Sequence, residues 1–178
     1  MEAAEKLLTL VYRAQRTFAG IRNAGAFWAE RNAAEKRLTE GHADFLHMDD
    51  EKKERFRTAQ VILDRLHANK DLWSELFQCL PLAKALFGSE CEQQLDSLWG
   101  LHTKLLLAAN QYAKVDPAAN AALSERYFDD LVGTFDDQDR FERELLGTVL
   151  LLEQTLLPEI VGTGPNVEKA VGETARFR

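Results

Sequence analysis

The sequence predicts an all-α protein, an antiparallel bundle of about five to six helices led by one long N-terminal helix. Three observations carry this expectation. Apolar residues recur at alternating spacings of three and four along most of the chain. Runs of alternating β-branched residues, the mark of half-buried strands, are absent. Only four prolines occur, Pro81, Pro117, Pro158 and Pro165, each where a helix could begin or end.

The first helix is the most informative. Leu7, Val11, Ala14, Phe18, Ile21, Gly25 and Trp28 follow an a/d seam, as in a coiled coil. No proline interrupts the chain from Glu2 to Glu40, so one helix is expected to reach Leu38 and to stop near Gly41. At 1.5 Å per residue it would be about 55–60 Å long. Residues 41–48 read as a connection or a further turn or two.

A second helix is expected from Asp49 or Asp50, where Asp50, Glu51 and Glu54 suit the positive end of the helix dipole. Its buried row is Phe56, Ala59, Leu63 and Leu66, flanked by Ile62. Asn69 and Asp71 mark a break, with Asp71 as the next cap. A short piece carries Leu72, Trp73, Leu76, Phe77 and Leu80, and Pro81 opens a brief turn of helix that ends at Gly88. Ser89-Glu90-Cys91-Glu92 reads as a capping box ahead of Leu95, Leu98, His102, Leu105, Ala109 and Tyr112. Asp116-Pro117 reads as a cap and first residue for a helix carrying Leu123, Phe128, Leu131, Val132 and Phe135. The last strong helix carries Phe141, Leu145, Thr148, Val149, Leu152 and Leu156, with Pro158 kinking or ending it and Gly162 closing it. A single domain over 1–162 is expected, with 163–178 a flexible tail lacking a periodic core face.

The chain has 178 residues, 46% hydrophobic and 29% charged, which is globular and large enough for one core without disulfides. A net charge of −7 and a pI near 5.2 oppose the broad basic field of nucleic-acid binding. Two cysteines are too few for a secreted disulfide framework. No signal peptide and no apolar run long enough to span a membrane are read, so the expected location is the cytoplasm. Charge is uneven: residues 1–37 hold seven bases and four acids, a net +3, leaving −10 for the remainder.

Function is expected from the first helix. Other helices imply a body of about 30–40 Å, so a helix near 55 Å would overhang it. Residues 24–29 carry no charge on any side. Large exposed apolar patches are unusual on monomers. The expected activity is therefore a non-enzymatic interaction, scaffold or regulatory role. The expected partner is a second copy, giving a dimer through Leu7, Val11, Phe18, Ile21, Phe27 and Trp28. The alternative structure is a break near Gly20 or Gly25 that folds the segment back as two core helices.

Two other readings compete. A ligand- or metal-binding bundle would centre on His102, which interrupts an apolar row, with Tyr112 as its neighbour on the same helix. A membrane-peripheral module would lay the basic first helix, with Phe18, Phe27 and Trp28, into a headgroup layer. No cofactor is expected. Asp44-x-x-His47 and Asp64-x-x-His67 lack the glutamates of a carboxylate-bridged metal pair. The aspartates at 129, 130, 136, 137 and 139 lack the pattern of a calcium loop. Cys79 and Cys91 read as core thiols, since no local motif supplies a base. Residues 161–164 lack the lysine of a phosphate loop.

Overall fold

The computed structural model describes residues 1–25, 28–133 and 139–162, and these are all-α. Eight α-helices are present: α1 (Glu2–Ile21), α2 (Trp28–Gly41), α3 (Asp50–Ala68), α4 (Lys70–Gln78), α5 (Leu80–Phe87), α6 (Ser89–Tyr112), α7 (Ala121–Leu131) and α8 (Arg140–Val161). A short 3-10 turn, Phe45–His47, lies between α2 and α3. Helix ends follow local chemistry. The Asp49 carboxylate accepts from the Lys52 amide at 2.8 Å and caps α3. Gly88 adopts φ 89° between α5 and α6, and Gly162 adopts φ 77° after α8, conformations natural to glycine. Pro158 sits inside α8, which continues to Val161.

The continuous helix expected over residues 1–40 is two helices. α1 ends at Ile21 and α2 begins at Trp28. The Gly25 amide donates to the Asn23 side-chain oxygen at 2.8 Å, a local Asx-type turn. The carbonyls of Ile21, Asn23 and Gly25 accept from the Arg65 guanidinium at 2.8–3.0 Å. A glycine inside a helix costs only about 1 kcal/mol, too little to break one alone. Three charge-assisted hydrogen bonds to carbonyls that a helix end leaves without partners outweigh that deficit.

The helix after Pro117 also starts later than expected. Asp116 forms a turn, accepting from the Ala118 amide at 2.9 Å, and Asn120 caps α7 by accepting from the Leu123 amide at 3.1 Å.

The described chain divides into two compact units, and the tail expected over 163–178 lies outside the described residues. Unit 1 comprises Met1–Arg16, Asp71–Trp99 and the described chain from Glu144. Unit 2 comprises Thr17–Lys70 and Gly100–Arg143. Each is drawn from distant stretches of chain, so no shift in composition marks a boundary.

Unit 1 has an aliphatic core. Leu7, Leu10, Val11, Trp73, Leu76, Leu95, Leu98, Leu145, Leu152 and Leu156 are buried, with both cysteines among them. Burial raises the Cys91 thiol pKa to about 11, which keeps it protonated and inert.

Unit 2 combines an aromatic core with buried arginines. The Phe18 and Phe141 rings meet edge to face at 5.4 Å between centroids. Arg22, 3% exposed, stacks over Phe141. It donates to the carbonyls of Asp130 and Asp129 at 3.0 and 2.8 Å, the end of α7, and pairs with Asp139 at 3.0 Å. Arg55 lies over the Tyr112 ring and donates to the Tyr112 and Val115 carbonyls at the end of α6 and to the Ser124 hydroxyl of α7. Arg65 treats the end of α1 likewise. Three arginines thus close three helix C-termini, where positive charge also suits the helix dipole.

Candidate interaction surface

The six anchors expected for assembly separate on inspection. Leu7, Val11, Phe18 and Ile21 are at most 1% exposed and serve the core of their own units. Phe27 lies outside the described residues. Trp28 is 80% exposed at the start of α2. The break after Ile21 is the physical reason: without an overhang, the seam of α1 has its own chain to pack against. The same burial corrects the membrane reading for Phe18, which is not available to a headgroup layer.

His102 and Tyr112 do not form one site. They are ten residues apart on α6, about 15 Å along its axis. Burial holds the His102 imidazole below its ordinary pKa, so it is neutral at pH 7. Burial raises the Tyr112 phenol, whose ring lies against Arg55 and Phe128. Among the described residues no cluster of three His, Cys, Asp or Glu side chains could hold a metal ion. Asp64 is engaged by Gln60 and Arg37. A hollow of about 360 Å³ borders Asp49, Lys52, Arg55, Lys114 and Asp116. Its charges are mixed, and Arg55 is committed to carbonyls.

The surface that stands out is the outer side of α8 within unit 1. The buried row expected there is found: Leu145, Thr148, Val149, Leu152 and Leu156 all face inward. Five further apolar residues of the helix face outward. Leu146, Leu150, Leu151, Leu157 and Val161 are 40–69% exposed. Leu146, Leu150, Leu157 and Val161 stand at offsets of 0, 4, 11 and 15, which is one stripe along the helix. Gly147 lies beside it with open space where a Cβ would project.

The stripe carries one charged residue, Glu153, three positions after Leu150 and four before Leu157 on the same face. From Leu145 to Val161 the only ionisable residues are Glu153 and Glu159. Glu153 accepts a 2.7 Å hydrogen bond from the Tyr12 hydroxyl of α1. That bond is the main cause of the raised Tyr12 pKa, since a carboxylate neighbour disfavours a phenolate. Glu159 is buried. The sequence did carry the signal. Residues 145–152 read Leu-Leu-Gly-Thr-Val-Leu-Leu-Leu, more apolar positions than one inward face can use.

No described helix is long and apolar enough to cross a membrane. Compared with known proteins, the chain matches no family, no curated protein and no solved structure.

Proposed function

We propose that this chain is a non-enzymatic helical interaction protein, a scaffold or regulatory subunit, that assembles through the outer face of α8. One observation carries the reading: four aliphatic residues, 42–69% exposed, form one stripe along a single helix that only Glu153 interrupts. Solvent-facing helix surfaces of monomers are ordinarily polar, and contiguous apolar patches mark contact sites. The assembly once expected of the first helix moves to the last one. The cytoplasm is the proposed location, supported by two thiols that remain unpaired.

Site-specific photo-crosslinking in the protein's native cells tests this. A crosslinking residue at Leu150 should give a discrete protein adduct, and one at the polar, exposed Thr39 of α2 should not. Absence of any adduct from Leu150 would refute the reading.

A further inference from the structure

Helix α2 is joined to the rest of unit 2 by charge more than by burial. Of its fourteen residues, Ala34 and Leu38 are buried, Glu30 is partly buried and the others face solvent. By contrast, α3 buries Phe56, Ala59, Val61, Ile62 and Leu66. Among the described residues, four ion pairs tie α2 to α3. Glu30 meets Arg65 at 2.9 Å, Arg31 meets Glu54 at 2.6 Å, Glu35 meets Arg57 at 3.1 Å, and Arg37 meets Asp64. We propose that α2 is a clasp sensitive to ionic strength. It lies closed on α3 at low salt, and it lifts and unwinds when salt screens these four pairs, while the rest of unit 2 stays folded.

The placement of the charges fits a clasp. Glu30 and Arg37, seven residues apart, share one edge of α2, and Arg31 and Glu35, four apart, share the other. Ala34 and Leu38 lie between the two edges, so ion pairs flank the small apolar contact on both sides. Each edge carries one acid and one base, so charge also fixes the register. Pairs of this kind are weak singly and are screened by salt. The side chains of Arg31, Glu35, Arg37 and Glu54 are 44–57% exposed, which leaves three of the four pairs open to mobile ions.

Lifting α2 disturbs little else in the unit. Leu38 shares its apolar cluster with Phe45, Phe56, Ala59 and Ala113, none of which belongs to α2. The chain stays held on both sides of the helix. Before it, Arg65 keeps its hydrogen bonds to the Ile21, Asn23 and Gly25 carbonyls. After it, Phe45 is buried in the 3-10 turn. A helix of fourteen residues is marginal by itself in water, so release also unwinds it. What opens is the apolar seat of Leu38 beside Phe45 and Phe56.

Hydrogen exchange of the full chain between about 50 mM and about 1 M NaCl tests the clasp. Exchange of residues 29–41 should accelerate about tenfold relative to residues 101–112 of α6. That is the combined effect of four pairs at the lower end of exposed-pair strength, screened together. Referring one set of amides to the other removes the effect of salt on exchange chemistry. Arg37→Glu should speed exchange of residues 29–41 severalfold at low salt and weaken their further response to salt. Arg37→Glu with Asp64→Arg should bring back slow exchange, which a change in helix propensity alone would not do.

Exchange in residues 29–41 that ignores salt would overturn the clasp. Equal acceleration of residues 29–41 and 101–112 would overturn it as well, because unit 2 would then open as a whole. A reversed pair that exchanges as fast as Arg37→Glu alone would overturn the ion pairs as the cause. The salt series uses the unaltered chain, so it decides the matter even where a variant fails to fold.

Discussion

The two units reach stability by different means. Unit 1 relies on packed aliphatic side chains, and its buried charge is confined to Glu159 among the described residues. Unit 2 places Arg22, Arg55, Asp130 and Asp139 in its interior and uses guanidinium groups to close helix ends. Their surfaces differ less than their interiors. Both meet solvent with ion pairs, Arg31 with Glu54 in unit 2 and Lys84 with Glu92 in unit 1, and both expose apolar side chains, Trp28, Leu46 and Leu107 in unit 2 and the outer leucines of α8 in unit 1. A unit held by directional bonds fixes its own helix ends. A unit held by apolar packing alone can be extended by more of the same packing.

The contrast can be broken most sharply at Arg22. Arg22→Met removes the guanidinium from the end of α7 and takes the Arg22 charge from the buried Asp139 carboxylate. Losing one partner of a buried pair costs about 3–5 kcal/mol. Urea unfolding should show that loss, and hydrogen exchange should rise first in residues 121–133. In unit 1 the matching test is Leu95→Ala, at a fully buried position. The cavity should cost about 3 kcal/mol, with faster exchange in α4 and the first half of α6. If both variants loosened the same amides, the division into two units would lose its energetic meaning.

Smaller changes sharpen the comparison. Asn120→Ala removes the cap of α7 and should lower stability by about 1 kcal/mol, again read by urea unfolding. Gly147→Ala should raise the stability of dilute protein by up to about 1 kcal/mol, since a Cβ there meets nothing within 4 Å.

The smallest effect concerns pH. Burial lowers the folded pKa of His102 beneath the unfolded value near 6.5. The unfolded chain therefore takes up the proton first as pH falls. Stability from the neutral imidazole is complete above pH 6.5, declines as pH drops through that value, and levels off below the folded pKa. His102→Gln should flatten that slope in unfolding measured between about pH 7 and pH 5.

Much of the fold was legible in the residues. The inward row of α8, the cap at Asp49 and the stops at Gly41, Gly88 and Gly162 all follow from periodicity and local chemistry. The break after Ile21 was harder to see. Asn23 and Gly25 hint at it, but the decisive hydrogen bonds come from Arg65, forty residues away. The arginine caps are invisible for the same reason: their acceptors are main-chain carbonyls, which no side-chain pattern records. Phe128 shows the reverse case. It was read as core, yet it is exposed at the side of Tyr112, because the inward positions of α7 fall to Ser124 and Leu131. The seam of α1 looked unsatisfied in the sequence, yet its residues up to Ile21 pack within their own units, while Trp28 beyond the break stays exposed. The surplus leucines of α8 were countable in the sequence. Only the structure separates those that face inward from those that face out.

Side-chain footprinting tests the central claim most directly. The full chain would be labelled by hydroxyl radicals as dilute purified protein and inside its native cells. Labelling of Leu146, Leu150 and Leu157 should fall severalfold in the cells, while Leu46, 61% exposed in unit 2, should keep its reactivity. Equal labelling of the α8 leucines in both settings would contradict the assignment of this face to a contact.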